Sequence, residues 1–151
     1  MARELADMVA IQNLLAGSAL SADTAASAYQ ATLYAEDAVM DGGGGAGEIR
    51  GRDAIVGIIT DAYHSTLRTE GMAHVAAQPQ VRVTGSRAIA VGYLQIMSYE
   101  PPGKESPGRW VTWRLTANRW EFEFRAGRWQ ITRRTIRPAP SAEALALLRL
   151  E

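Results

Sequence analysis

Two histidines, His64 and His74, are the first candidates for moving a proton near neutral pH. His74 lies in Glu70-Gly71-Met72-Ala73-His74-Val75, where the chain begins to alternate like a strand, with Met72, His74 and Ala76 on one face. A titratable group on such a strand needs a polar partner: held by one it is a candidate general base, and without chemistry to do it is a satisfied core histidine. His64, beside Ser65-Thr66 on a helical turn, reads as a surface residue.

Other chemistries lack their residues. There is no cysteine, which excludes disulfides, thiol nucleophiles and cysteine metal sites and leaves the redox compartment open. The histidines show no His-x-x-x-His or His-x-Glu spacing, so no metal site is expected. There is no Gly-x-Ser-x-Gly elbow. The run Gly42-Gly43-Gly44-Gly45-Ala46-Gly47 is followed by no Gly-Lys-Ser/Thr, so it reads as a flexible connection, or as a mobile rim over a pocket, rather than a phosphate loop.

With 151 residues, 47% hydrophobic and 21% charged, the chain suits one soluble domain over 1–151. No apolar run is read as long enough to span a bilayer and no signal peptide is expected, so cytoplasmic is the default. The formal net charge is zero, which offers no general attraction for nucleic acid or anionic membranes. The Arg- and Trp-rich segment from Arg109 to Arg137 mixes cations with stacking surfaces. Strand alternation, however, puts Trp120, Phe122 and Phe124 on one face and Arg119, Glu121 and Glu123 on the other, a pattern that cross-strand ion pairs on a solvated face explain.

The elements that must position these residues fall into two halves. Leu5, Met8, Val9, Gln12, Leu15, Ala16 and Ala19 form a helical stripe. Ser21 or Asp23 is a candidate cap for a second helix reaching about Tyr34. A short extended segment through Met40, the glycine run and a second short strand at 48–50 follow, then one helix opened by Gly51-Arg52-Asp53 with Ala54, Ile55, Ile58, Ile59 and Tyr63 on its apolar face. After Thr69 the period becomes two, predicting strands over 71–84, 87–99, 109–125 and 128–137 and a closing helix from Ser141 to Leu150. Helices followed by a long meander give an α+β domain with helices on one face of a curved antiparallel sheet.

The order of Ala10-Ile11-Gln12-Asn13-Leu14-Leu15, Tyr34-Ala35-Glu36-Asp37-Ala38, Gly51-Arg52-Asp53-Ala54-Ile55, Ala73-His74-Val75, Ala117-Asn118-Arg119-Trp120-Glu121-Phe122 and Gly127-Arg128-Trp129-Gln130-Ile131-Thr132-Arg133-Arg134 resembles the SnoaL-like branch of the nuclear-transport-factor-2-like superfamily over nearly the whole chain. That resemblance implies a cone-shaped α+β barrel, a curved sheet wrapped around N-terminal helices with a pocket at the open end. The site pattern is similar to that of the family's dehydrochlorinase and dehydratase members. It implies Asp23 as the partner of His74, Arg134 as a stabiliser of developing negative charge, and Asn118 near a ligand-contacting position. A lysine of the dehydrochlorinase pattern is replaced by Ser18 and a pocket tryptophan by Met40, so no particular substrate carries over. Met72, Tyr93, Leu94 and Ile96 are further candidates for the pocket wall.

Each assignment has a plainer competitor. Asp23 before Thr24-Ala25-Ala26 suits a helix N-cap, His74 an inert strand position, and Arg134 an ion pair with Glu121 or Glu123. The resemblance implies a cofactor-independent lyase (dehydratase or dehydrohalogenase) or isomerase acting on a small, mostly apolar cyclic molecule. The alternative is a non-catalytic binding or dimerisation domain of the same fold. A small-molecule ligand and self-association as a dimer or trimer are the expected partners; nucleic acid and membrane are not.

Overall fold

The computed structural model describes residues 2–43, 47–104 and 107–150. Among these described residues, five helices and seven strands follow in the order α1 (Ala2–Thr24), α2 (Ser27–Leu33), β1 (Tyr34–Asp41), β2 (Glu48–Arg50), α3 (Arg52–Ile58), α4 (Ala62–Thr69), β3 (Met72–Ala76), β4 (Gln80–Thr84), β5 (Arg87–Glu100), β6 (Arg109–Arg125), β7 (Arg128–Pro138) and α5 (Ala142–Leu147). The strands make one curved, unclosed sheet in the order β2-β1-β7-β6-β5-β3, with β4 also on β5. This is the expected α+β cone with one difference. β1 runs parallel to β7, so the sheet is mixed rather than wholly antiparallel. Pairing between segments so distant in sequence leaves no local periodicity to read.

Helix α1 continues past both residues proposed to cap its successor. Ala25 adopts a left-handed φ of 54° and the Ala26 N–H donates to the Ser21 carbonyl at 2.9 Å, the bond that closes a helix C-terminus after Thr24. Asp23 is therefore in the last turn of α1, and α2 begins at Ser27 behind Ala26 with no side-chain cap. The span from Met8 to Ala22 carries no charge. By length and composition α1 could cross a bilayer, contrary to the expectation from its sequence, but a third of its most apolar stretch (33%) is buried inside the fold. Ile11 and Leu15 are in the core with Leu33, Tyr34, Ile55, Trp120, Phe122, Trp129 and Ile131.

Two further boundaries differ from the sequence reading. The helix expected to carry Tyr63 on its apolar face is broken after Ile58; Asp61 caps a new helix, α4, and Tyr63 is exposed. The strand expected over 71–84 is two strands, interrupted by Ala77-Gln78-Pro79 and placed end to end along β5, β3 opposite 94–98 and β4 opposite 87–91. Proline cannot donate to a ladder, which breaks the run there. Gly92 accommodates the break: a Cβ at that position would lie 3.3 Å from the Pro79 Cα. Gly71, which launches β3, has φ of 88° and would carry a Cβ 2.8 Å from that of Tyr99, so only glycine suits the turn.

The outer face of the sheet behaves as its alternation implies. Arg119 lies 3.8 Å from Glu121, and Arg87, directly opposite Glu123, lies 3.7 Å from it. Trp120 and Phe122 point inward and are buried.

Candidate active site

The inner surface of the sheet, with α1 and α3 across it, encloses a cavity of about 330 Å³, within the size range of small-molecule sites. Strand register sets much of its wall. His74 pairs with Ile96 and Ile96 with Arg114; Ala76 pairs with Leu94 and Leu94 with Thr116. All six residues in these two rows line the cavity. Ser18 and Met40 line it from α1 and β1, and Arg134 from β7.

Asp23 and His74 are brought together across 51 positions of sequence. The His74 ring Nδ1 is 2.6 Å from Asp23 Oδ1, and the main-chain N–H of His74 donates to both carboxylate oxygens, at 3.1 and 2.9 Å. Among the described residues β3 is an edge strand, and no strand there serves a main-chain donor on its free side; Asp23 takes that place. A carboxylate in the last turn of α1 opposes the helix dipole, and no basic side chain in that turn offsets it. The contacts from His74 satisfy a carboxylate that the helix alone disfavours. An ionised carboxylate only accepts, so Nδ1 carries the proton of their bond and Nε2 is the ring nitrogen left for the cavity. The His74 side chain is 9% exposed and that of Asp23 20%.

Arg134 is held by another polar chain. The Thr116 hydroxyl donates to the Leu94 carbonyl at 3.2 Å, the Asn118 amide donates to the Thr116 hydroxyl at 2.8 Å, and Asn118 Oδ1 accepts from Arg134 Nε at 3.1 Å and Nη2 at 2.9 Å. The guanidinium also sits 5.6 Å from the centre of the Trp120 ring. No ion pair joins Arg134 to Glu121 or Glu123 among the described residues; the adjacent Arg133, pointing the other way, pairs with Glu48 at 2.5 Å.

Several candidates occupy other places. Asn118 is fully buried and does not line the cavity: it positions Arg134 from beneath. Met72 shares the face of His74 but pairs with Ser98 beyond it and is not part of the wall. Tyr93 is on the opposite face of β5 and is 37% exposed. His64, expected at the surface, lines the cavity, as do Arg114 and Gln30, which the sequence reading did not include. Helical periodicity in 52–69 gave no sign of this, because the break at Asp61 re-aims α4. Gly42 and Gly43 line the cavity, while Gly44, Gly45 and Ala46 lie outside the described residues, so the rim reading of the glycine run extends only to its first two positions. Asp41 fixes the start of that run. The Arg137 guanidinium at 2.8 Å and the Gly43 N–H at 3.0 Å hold its carboxyl below the usual carboxylate range.

Replacing Asn118 with alanine is expected to cost about 1–3 kcal/mol, the penalty for stranding buried polar partners. A lowered midpoint in urea denaturation checks this, and an unchanged midpoint contradicts it.

A curved sheet over N-terminal helices, with His74 and Arg134 on the wall of a largely apolar cavity, defines an α+β cone with a pocket. The SnoaL-like domain family matches residues 3–135, and the chain belongs to that family. Among solved structures, an NTF2-like protein with a cystatin-like fold from Novosphingobium aromaticivorans is 28% identical, with a TM-score of 0.87 over 98% of this chain and 92% of that one. The hexachlorocyclohexane dehydrochlorinase LinA-type3 from Novosphingobium barchaimii LL02 shares the fold at 16% identity, with a TM-score of 0.71 over 89% and 88% of the two chains. A Mycobacterium tuberculosis protein of unknown function does so at 18% identity, with a TM-score of 0.73 over 92% and 80%. None of the curated proteins compared matches the chain.

Proposed function

We propose that the protein is a cofactor-independent lyase, a dehydratase or dehydrohalogenase, or an isomerase, acting on a small, mostly apolar cyclic molecule. The observation that carries this is the 2.6 Å contact between Asp23 and Nδ1 of a histidine that lines the cavity. In this reading Asp23 fixes the tautomer and stabilises the imidazolium, while His74 Nε2 removes a carbon-bound proton. Arg134 stabilises the negative charge that develops as the carbon–hydrogen bond breaks, whether on an enolate oxygen or on the leaving group. Ser18, Met40, Leu94 and Ile96 shape the substrate's surroundings.

The test is turnover of cyclic ketones bearing a β-hydroxyl or β-chlorine, compared between wild type and His74→Ala. Turnover that depends on His74 supports the proposal. Turnover equal in both proteins, or absent from the wild type, favours a non-catalytic binding domain of the same fold.

Self-association belongs to the same proposal. Val75 is 48% exposed and Tyr93 37% exposed on the face of β3 and β5 that points away from the cavity. Light scattering is expected to give a dimer or trimer mass; a mass of 16.4 kDa, that of one chain, contradicts it.

A further inference from the structure

Both histidines of this chain line the same cavity, and each is tied to an aspartate through its Nδ1. His64 Nδ1 is 3.3 Å from Asp61 Oδ1, and the same oxygen accepts the His64 main-chain N–H at 2.7 Å as the N-cap of α4. The bond at His64 main-chain N–H is the largest reason the Asp61 carboxyl titrates below its ordinary range, so a negative partner stays beside the ring. The His64 side chain is 19% exposed, with the Tyr63 ring edge-on at 5.8 Å. The helix that carries it is braced against the rest of the site: Arg68 donates to the Ile59 carbonyl at 2.5 Å and to the Ala22 carbonyl, one residue before Asp23, at 3.4 Å. The two aspartate-bound rings are thus anchored to one frame, with Nε2 of each as the nitrogen that its aspartate leaves free.

We infer that His64 is the general acid of this site, protonating a hydroxyl leaving group while His74 acts as the base. The inference rests on the base role proposed for His74 and selects, within that proposal, elimination of water. Hydroxide is a poor leaving group and departs readily only when protonated, whereas chloride departs without a proton; a second proton carrier on the wall is of use to the first and not to the second. In the step itself, His74 Nε2 forms a bond to the proton of the carbon adjacent to the substrate's carbonyl. The carbon–hydrogen electron pair becomes the new carbon–carbon π bond. The carbon–oxygen bond at the β position breaks with its pair on oxygen, which takes the proton from His64 Nε2 and leaves as water. His74 ends as imidazolium and His64 as neutral imidazole, and transfer of one proton from the former to the latter through solvent resets the pair.

The probes are the β-hydroxy and β-chloro derivatives of cyclohexanone, which eliminate to the same enone and are followed by the same absorbance. His64→Gln is expected to lower the ratio of hydroxide to chloride elimination by about 10²–10⁴-fold, the size of a positioned acid's contribution. Chloride elimination in the same sample reports that the variant is folded and that the base is working. Asp61→Asn keeps an N-cap acceptor for α4 but removes the charge beside the ring, and is expected to lower the same ratio by a smaller factor and to shift the pH profile of hydroxide elimination alone. An unchanged ratio in His64→Gln overturns the acid role while leaving the base role standing, as does a wild type that eliminates chloride only. A wild type that turns over neither compound overturns both roles together.

Discussion

Turnover of a cyclic β-hydroxy or β-chloro ketone is expected to fall by about 10²–10⁴-fold in His74→Ala, the contribution of a positioned general base. The loss is expected in the chemical step rather than in folding. Asp23 accepts the main-chain N–H of residue 74 through both oxygens, and alanine retains that donor. The clamp between α1 and the edge strand β3 therefore persists without the ring. A variant with unchanged far-ultraviolet circular dichroism and wild-type rates contradicts a catalytic His74.

The second large effect is expected from Asp23→Asn, a change of one oxygen for an amide nitrogen. The asparagine carbonyl can still accept the main-chain N–H of His74. Its amide group, placed beside Nδ1, makes that nitrogen an acceptor and moves the ring proton to Nε2. The nitrogen meant to take the substrate's proton is then occupied. In catalytic triads of other enzymes the equivalent change costs about 10⁴ in rate with the geometry intact, and an effect approaching that size is expected here. Asp23→Ala adds about 1–3 kcal/mol of lost stability, because the main-chain donor of an edge strand then loses its acceptor. Steady-state rates and urea denaturation on the two variants separate the contributions. If Asp23→Asn matches the wild type in rate, the carboxylate serves structure alone.

How far the sequence exposes this site depends on whether each signal is local. The alternation around His74 and the inward placement of Trp120 and Phe122 follow from period two. Arg134 and Arg133 are adjacent and chemically identical, and alternation says only that they part. The register that sets Trp120 opposite Arg134 decides which one turns in toward Asn118 and which turns out to Glu48. Asp23 looks like an N-cap because aspartate before Thr-Ala-Ala suits one. The left-handed turn at Ala25, made without the glycine that usually marks it, closes α1 only after Thr24 and so leaves Asp23 inside that helix, with its carboxylate against β3. An acidic residue at the C-terminal end of a helix breaks a local preference, and here that breach coincides with the histidine contact. His64 is hidden for a related reason. Ser65 and Thr66 after it are polar, and the break before Asp61 sets α4 on a course that the periodicity of 52–59 does not carry forward. The parallel pairing of β1 with β7 joins segments with no local relation and leaves no trace in either of them.

Proton abstraction can be isolated from leaving-group departure with a ketone that has nothing to eliminate. Cyclohexanone incubated with the protein in deuterium oxide, with deuterium gain followed by mass spectrometry, measures removal of the carbon-bound proton alone. Exchange above the buffer rate is expected for the wild type and for His64→Gln, and is expected to be lost in His74→Ala and Asp23→Asn. Exchange by His74→Ala at the wild-type rate, or exchange by the wild type no faster than buffer, contradicts the assignment of the Asp23–His74 pair as the base.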